Sequence, residues 1–216
     1  MKKSLQILLC LSIIGNCKMI ELPKPQLKGT MSLEEAILKR RSIREYEDKD
    51  LTMQQISNLL WAAQGITAKK WGIGLRAAPS AGALYPMEVY FLTKDGVFHY
   101  VPERHKVEKK IVKDKRKELC DASLGQEWVR DAPLSIVVCA VYKRTTIKYG
   151  ERGIRYVWIE AGHIAQNILL QAVSLGLGGV PIGAFFDGKV KEILQLPQNE
   201  EPLYIIPVGY PRKGSD

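Results

Sequence analysis

The sequence contains little of the chemistry that protein metal sites require. It has four cysteines and three histidines among 216 residues. Cys120 and Cys139 are far apart in the sequence, and His99, His105 and His163 show none of the spacings that metal ligands share. We therefore expect no metal site, two buried free cysteines, and a position for His163 in the core or at a subunit interface.

The composition lacks the features of several protein classes. Glycine and proline together number 18 + 11 = 29 of 216 residues, too few for a collagen-like chain. Hydrophobic residues make up 46% and charged residues 25%, which excludes a disordered chain and a membrane protein with many spans. We find no internal repeat. The length fits one folded domain with a sizeable core.

The first residues depart from this globular pattern. Lys2 and Lys3 precede an apolar run from Leu5 to Gly15, which is too short to span a bilayer but has the length of a secretory signal core. Cys17 follows Asn16 in a context that loosely resembles the lipidation site of bacterial lipoproteins. The pattern indicates export or membrane anchoring. The alternative is a hydrophobic N-terminal extension on a cytoplasmic protein.

We divide the chain into three parts on these grounds. Residues 1–17 are the predicted signal peptide or lipoprotein signal, which would place the protein in the periplasm or cell envelope of a bacterium, with a membrane tether at the N-terminus as an option. Residues 18–30, which include Pro23 and Pro25, form a predicted linker. Residues 31–213 form the predicted domain.

Four segments of the domain have helical patterns. Ser32 and Thr52 stand where helix N-caps are expected, and apolar residues follow each of them at helical spacing. The stretch from Arg152 to Leu175 is too apolar for a surface helix and predicts a core helix that also contacts a second subunit. Basic and acidic residues alternate in Lys106–Lys117, which we interpret as a solvated helix.

Other segments have the patterns of strands and loops. Met87–Thr93 and Val97–Val101 flank Asp95-Gly96 and predict a β-hairpin. Two further β-rich runs predict strands, Leu134–Tyr142 at the centre of a sheet and Leu203–Val208. The stretch Gly65–Pro86 is rich in glycine, alanine and serine and predicts an irregular loop. Together these elements predict an α+β sandwich of helices against a small mixed sheet.

The net charge is +9, so the distribution of basic residues must distinguish between anionic partners. No aromatic residues interleave the basic run 106–117, and we expect no nucleic-acid partner. Within Arg40–Arg44, the side chains of Arg40, Ser42 and Arg44 recur at period two, so an extended backbone presents them on one side. Guanidinium groups and a hydroxyl suit a phosphate. The alternative is a basic turn that complements a helix dipole.

Four motifs, in matching order and spacing, resemble the nitroreductase family of FMN enzymes. They are Arg40-Arg41-Ser42-Ile43-Arg44, Pro79-Ser80-Ala81-Gly82-Ala83-Leu84-Tyr85-Pro86, Gly178-Gly179-Val180-Pro181-Ile182-Gly183-Ala184-Phe185 and Val208-Gly209-Tyr210-Pro211. The second motif, with Lys148-Tyr149-Gly150 and Arg155-Tyr156, is similar to the SagB-type dehydrogenase branch, which includes azoline-oxidising flavoenzymes. The resemblance covers Met31–Lys213. It implies a nitroreductase-like fold, with a central mixed sheet flanked by helices, in a domain-entwined homodimer.

The resemblance also implies roles for the early motif and the loop. Arg40 and Ser42 would bind the flavin phosphate and ribityl chain, with Arg41 in the same motif, and Arg44 would approach the pyrimidine ring. The loop residues would come from the partner subunit and line the isoalloxazine; they are Pro79, Ser80, Ala81, Gly82 and Ala83. Many nitroreductases carry a polar amide where this chain has Ala83.

Later motifs would complete the site. The backbone of Pro181, Ile182, Gly183 and Ala184 would bond the flavin N5, although many nitroreductases carry an acidic residue where Gly183 stands. Arg212 would complete the phosphate site or belong to a basic tail.

For the adjacent pair Lys148 and Tyr149, the resemblance leaves two roles open. The pair would remove a substrate proton while hydride goes to N5, or it would shield and pack the flavin. The first role requires an oxidisable substrate, and the second does not.

The expected function is an FMN-dependent oxidoreductase that transfers hydride to or from flavin N5 by a ping-pong mechanism, of the SagB type in its finer form. Its substrate would be a small molecule or a peptide, and NAD(P)H is a candidate electron donor. The alternatives are a flavin-binding non-catalytic or partner-dependent subunit, and an NAD(P)H-dependent nitro or quinone reductase. A homodimer is also expected from the long apolar helix, because one sandwich does not readily cover so much hydrophobic surface.

Overall fold

A computed structural model describes residues 18–70 and 72–214. The predicted signal at residues 1–17 lies outside the described residues. The helices are α1 (Leu33–Lys39), α2 (Met53–Gln64), α3 (Arg116–Ala122), α4 (Trp128–Asp131), α5 (Lys143–Tyr149), α6 (Arg152–Ser174) and α7 (Asp187–Leu194). The strands are β1 (Lys18–Glu21), β2 (Ile66–Lys70), β3 (Ile73–Arg76), β4 (Met87–Thr93), β5 (Gly96–Val101), β6 (Lys106–Ile111), β7 (Leu134–Ala140), β8 (Gly178–Gly179) and β9 (Glu201–Gly209).

Seven of these strands form one sheet, in the order β1-β6-β5-β4-β7-β9-β8. Neighbouring strands pair antiparallel throughout, and β2 and β3 form a separate antiparallel hairpin. We expected a mixed sheet. Among the described residues, parallel pairing is limited to one bridge, between Ser42 and Gly179. Gly179 belongs to β8, whereas Ser42 lies outside the strands. The nitroreductase-like α+β fold itself is confirmed.

Helices cover both faces of the sheet. On one face, α2 and α6 pack on β4 and β7, with Leu59, Ile164 and Ile136 in one buried cluster. On the other face, α3 and α7 pack on the opposite side chains of the same strands, with Leu119 and Leu194 in a second cluster. All seven residues of β7 are buried, because the strand lies between the two helical layers. The predicted central strand is therefore confirmed.

The two predicted helix starts are confirmed. Ser32 caps α1 by accepting a hydrogen bond from the backbone N–H of Glu35 at 3.1 Å. Thr52 caps α2 in a reciprocal capping box with Gln55. These caps satisfy backbone donors that the first turn of a helix leaves unpaired. The predicted hairpin, now β4 and β5, is confirmed as well.

Two predicted segments have a different structure. Lys106–Lys117 is not a helix, because its first part is strand β6, in which Val107 is buried against the core while charged neighbours face outward. The side chains alternate with the two-residue period of a strand, not with the period of a helix. Gly65–Pro86 is not irregular throughout, since it contains the hairpin of β2 and β3.

The predicted linker is part of the folded domain over much of its length. Lys18–Glu21 forms β1 and pairs with β6 at the sheet edge. Beyond this strand, the Ser57 hydroxyl donates to the Pro23 carbonyl at 2.6 Å, and the Gln26 N–H donates to Asn58 Oδ1 at 3.2 Å. Residues 18–26 are therefore held by the sheet and by α2.

The structure also bears on the expectations for the cysteines and for His163. Cys120 and Cys139 are free and buried, as predicted. His163 is exposed on α6, so within a single chain it is not a core residue. Within residues 18–70 and 72–214, no helix combines the length and apolar character needed to cross a membrane.

Candidate functional site

The segment Arg40–Arg44 leaves α1 and packs against the end of the sheet. The Ile43 N–H donates to the Gly179 carbonyl at 3.2 Å. Ile43 is 5% exposed, whereas its neighbours Ser42 and Arg44 are exposed. Tyr46 fixes the segment further, because its hydroxyl donates to the carbonyls of Ile43 at 2.7 Å and Pro207 at 3.2 Å. Ser42 and Arg44 are thus exposed on either side of a buried Ile43, whereas Arg41 is exposed too and Arg40 is half-buried, so the predicted alternation holds only around Ile43.

Glycine is required where this segment meets β8. A Cβ atom on Gly178 would lie 2.5 Å from Ile43 Cγ1 and 2.9 Å from Ile43 Cβ. A Cβ atom on Gly179 would lie 2.8 Å from the Pro207 carbonyl oxygen. All three distances are too short for real contacts. A larger residue at Gly178 would push Ile43 away from the sheet, and one at Gly179 would push β8 away from β9.

The arginines around this point have different partners. Arg41 Nη1 donates to the carbonyls of Leu38 and Arg40, at 2.9 Å each, and so caps the end of α1. The Arg44 guanidinium lies over the Trp128 ring at 5.6 Å. Arg212 is brought alongside by the chain after β9, where its N–H donates to the Glu45 carbonyl at 3.0 Å. Basic side chains that are far apart in the sequence thus surround one exposed backbone segment.

The segment Pro181–Ala184 continues from β8 on the same side. Ile182 and Ile205 exchange two backbone hydrogen bonds, at 2.8 and 3.0 Å, which anchor the segment to β9. Gly183 and Ala184 that follow are exposed. Within the described residues their N–H groups donate no hydrogen bond, so both are free to meet a ligand. We call these residues the Arg40 cluster: Arg40, Ser42, Arg44, Pro181–Ala184 and Arg212.

A second arrangement is built around the loop Pro79–Pro86, whose backbone is strained. Gly82, Ala83 and Tyr85 have φ values of 63°, 54° and 45°, and for alanine and tyrosine this left-handed conformation is unfavourable. Such strain persists only when neighbouring contacts impose it.

Tyr85 receives those contacts from all sides. Its N–H donates to Ser80 Oγ at 2.9 Å, and its carbonyl accepts from Arg144 Nη1 at 3.1 Å. Its hydroxyl accepts from the Arg76 N–H at 3.2 Å, and the Arg76 guanidinium lies 4.8 Å from the ring centroid. These four interactions hold the loop in its strained form.

Lys148 and Tyr149 lie directly beside this loop. A Cβ atom on Gly82 would lie 2.8 Å from the Tyr149 hydroxyl oxygen and 3.1 Å from Lys148 Nζ. The Tyr149 ring meets Tyr156 edge-on at 5.1 Å, which orients it along α6. The pair and the loop, predicted separately, are therefore brought together within one chain. We call them, with Pro79–Ala83, the loop group.

Sequence reasoning missed the polar residues behind the loop. Arg144 Nη2 lies 2.5 Å from Glu88 Oε1, and His99 Nε2 lies 2.7 Å from Glu88 Oε2. Burial favours the neutral form of Glu88, but the bonds to His99 and Arg144 outweigh it and hold its pKa below the usual value. Glu160 on α6, 2% exposed, was also missed. A signal existed for it, since it is the single acidic residue of that helix.

Two helices carry exposed apolar side chains. Trp158 and Ile159 of α6 are 58% and 49% exposed, although they lie on the helix that forms the core. Leu33, Ile37 and Leu38 of α1 are exposed as well. Helices α1 and α6 pack on each other. Exposed apolar side chains in such numbers are typical of an interface.

Comparisons with known proteins match the whole of this domain. The model of the nitroreductase family matches residues 37–210. A Methanocaldococcus jannaschii protein that is named a nitroreductase is 42% identical over 202 residues, which cover 91% of this chain and 98% of that protein. A Ralstonia eutropha crystal structure of the same description is 31% identical with a TM-score of 0.80 and 90% of each chain covered.

A third comparison concerns a structure with a named cofactor activity. The NADPH:FMN oxidoreductase of Vibrio harveyi, solved with NAD+, has a TM-score of 0.62 and 27% identity. The match covers 84% of this chain and 69% of that one. Apart from Arg212, both groups of candidate residues lie within the matched family region.

The close approach at Gly178 gives a prediction about stability. Gly178→Ala should lower the free energy of unfolding by about 1–3 kcal/mol, because the added methyl group must displace Ile43. Urea unfolding of the purified protein measures this. The matched control is Gly188→Ala, where a Cβ atom meets nothing within 4 Å, and it should be neutral or slightly stabilising. Equal stability of the two variants would contradict a tight contact at Gly178.

Proposed function

The chain belongs to the nitroreductase family, and from that premise we propose that it is an oxidoreductase that binds FMN noncovalently. When bound, FMN supplies a site that accepts and returns hydride. The two half-reactions would follow one another in a ping-pong sequence. The observation that carries the proposal is the packing of Arg40–Arg44 on Gly178–Gly179, which gathers an anion-binding set beside two exposed backbone N–H groups.

The hydrogen-bond donors of the Arg40 cluster fit FMN. Arg40, Ser42 and Arg212 supply guanidinium and hydroxyl donors, which suit a phosphate and a polyhydroxylated chain. The free N–H groups of Gly183 and Ala184 suit an acceptor atom on a ring. The Arg44 guanidinium, held over Trp128, would stabilise negative charge on the bound cofactor. Each part of the ligand therefore has a donor of matching type.

We propose further that the protein is a homodimer with two such sites. The Arg40 cluster and the loop group are held by different elements, and α1 and α6 carry exposed apolar side chains. A two-fold contact through these apolar side chains would cover them. It would also bring the loop group of one subunit to the Arg40 cluster of the other. Because Gly82 touches Lys148 and Tyr149, the pair would then come from the same subunit as the loop.

Two electron sources are compatible with this site. We propose NAD(P)H as the donor for the reductase form of the activity, in line with the named activity of the Vibrio harveyi relative. The second candidate is oxidation of a small molecule or peptide, as in the SagB-type branch. Its support is the meeting of Lys148 Nζ and the Tyr149 hydroxyl at Gly82, where a base beside the cofactor would remove a substrate proton. The export signal at residues 1–17 remains a proposal, and an exported enzyme would need a quinone or protein donor.

The central experiment measures cofactor binding and reduction without oxygen. We expect yellow protein with one FMN per subunit, whose visible absorbance is bleached by NADH or NADPH. Arg40→Ala should weaken FMN binding about tenfold to a hundredfold, because a charge-assisted hydrogen bond contributes about 1.5–3 kcal/mol. Arg104→Ala, in the turn between β5 and β6, is the control and should bind FMN normally.

Two outcomes of that experiment contradict parts of the proposal. Protein that takes up no FMN in a titration contradicts the site. Protein that binds FMN but is reduced by neither nucleotide contradicts the reductase form and leaves the substrate-oxidising form or a non-catalytic, partner-dependent subunit.

Lys148→Ala distinguishes the two roles of the Lys148-Tyr149 pair. If Lys148 is the base, the variant should lose flavin reduction by an oxidisable thiazoline peptide but keep FMN affinity and reduction by NADH, since neither of these needs a protein base. Stopped-flow absorbance measures both half-reactions. Lys143→Ala, at the other end of α5, is the control. Parallel losses in all three quantities would show that the pair packs the cofactor instead.

Mixed dimers test whether two subunits share each site. We would combine an Arg40→Ala chain with a Gly82→Val chain, at an FMN concentration too low to load either variant as a homodimer. If the two groups come from different subunits, the mixed dimer has one intact site and binds one FMN. If both groups come from one chain, both sites are damaged and no FMN binds. A flavin-loaded monomer in sedimentation would eliminate the shared site altogether.

A further inference from the structure

Glu160 is a buried acid that the proposed chemistry does not use. It lies in the middle of α6, is 2% exposed, and its Oε1 atom has no hydrogen-bond partner. Its neighbours are Ser80, in the strained loop, and Gln64, at the end of α2. A buried carboxyl with an unpaired oxygen is costly, so its retention beneath the loop requires an explanation.

The hydrogen bonds around Glu160 are oriented toward it. Arg76 Nη1 donates to Gln64 Oε1 at 2.9 Å, which leaves the Gln64 amide nitrogen for the carboxyl group. That nitrogen is buried and has no full hydrogen bond, although it is near enough to act on Glu160 as a donor. The Tyr85 N–H donates to Ser80 Oγ, which leaves the proton of the Ser80 hydroxyl for the carboxyl group as well. Two donors, Ser80 and Gln64, thus lie beside Glu160, and each of them is held by a further hydrogen bond.

One of these chains leads to the strained part of the loop. Ser80 links Glu160 to the backbone of Tyr85, a residue with a φ of 45°. Turning the Ser80 hydroxyl away from the carboxyl group would weaken the constraint that holds Tyr85, and the strain would favour release of the loop.

We propose that Glu160 is a positioning residue that holds Ser80, and through Ser80 the loop Pro79–Tyr85, in the conformation that binds FMN. The inference rests on the proposed function, because the loop belongs to the proposed FMN site. Glu160 itself does not touch the reacting atoms in this proposal. It acts by accepting a hydrogen bond from the Ser80 hydroxyl.

The strength of this hold depends on pH. Burial raises the pKa of Glu160 to about 7, against the opposing effects of Ser80, Gln64 and Arg76. Arg76, on β3, is the charged group that acts on it, whereas α2 and the loop present neutral groups, Gln64 and Ser80. A carboxylate accepts hydrogen bonds more strongly than a neutral carboxyl group. FMN affinity should therefore increase as the pH rises through about 7.

The stability of the protein without FMN should change in the opposite direction. The pKa of Glu160 is higher in the folded chain, about 7, than its ordinary value of 4.5, so the folded state binds the proton more tightly. This contribution to stability is fully present below about 4.5 and is lost as the pH rises through about 7. A side chain with a purely structural role would not produce opposite pH trends in stability and in FMN affinity.

The test uses the full chain and measures FMN dissociation constants by fluorescence, and the melting temperature without FMN, at one pH well below and one well above 7. The wild type should bind FMN about tenfold more tightly at the higher pH, while its melting temperature is lower there. Glu160→Gln should remove both pH trends. Ser80→Ala should remove the trend in FMN affinity and keep the trend in melting temperature, because Glu160 still titrates. Glu192→Gln, exposed on α7, is the control and should keep both.

The contrary results are separate for each claim. An unchanged pH trend of FMN affinity in Glu160→Gln or in Ser80→Ala overturns the positioning role. If Glu160→Gln does not fold, Ser80→Ala alone decides. If the wild type binds no FMN at any pH, the proposed function fails and this inference with it, whereas the pH trend of the melting temperature still reports the titration of Glu160.

Discussion

The contact between Ile43 and the glycines of β8 is the constraint on which the Arg40 cluster depends. Ile43 can be buried only because Gly178 has no side chain, and Ser42 and Arg44 on either side of it are exposed. The hydrogen bond from Tyr46 to Pro207 then spans 161 positions of the sequence. Contacts of such long range form only after the sheet has brought the two parts of the chain together. The Arg40 cluster is therefore a product of the complete fold, not of the local motif.

The loop group follows a different principle, in which local strain is balanced by surrounding contacts. Tyr85 is held by Ser80, Arg76 and Arg144. Arg76 is itself bonded to Gln64, and Arg144 to Glu88. Proteins generally avoid such arrangements, because they combine backbone strain with buried polar groups. Their concentration at one loop fits the general observation that sequences break local rules at functional sites.

Much of the fold could be predicted, because its signals are local. The caps at Ser32 and Thr52, the hairpin of β4 and β5, the buried strand β7 and the long helix α6 each leave a short-range pattern in the sequence. Strands β1 and β6 could not be predicted, because they pair with each other at the sheet edge, and their exposed charges resemble those of a solvated helix.

The candidate site was predictable to a similar degree. Its motifs were found by resemblance, but the meeting of Lys148 with Gly82 and the link from Glu160 to Ser80 depend on how α5 and α6 pack beneath the loop. No spacing in the sequence records this packing. A lone acid in an apolar helix is a sufficient reason to examine a position, but it does not identify the partner.

The order of strands also determines how far the N-terminal strand lies from the segment Arg40–Arg44. Strand β1 forms one edge of the seven-stranded sheet and β8 forms the other, so six strand spacings of about 4.8 Å separate them, about 29 Å along the sheet. Residue 18 therefore enters the domain on the side remote from the segment Arg40–Arg44. Whatever is attached before β1, whether a lipid anchor or an affinity tag, would hold the molecule by its far edge and leave the anion-binding edge accessible to the solution.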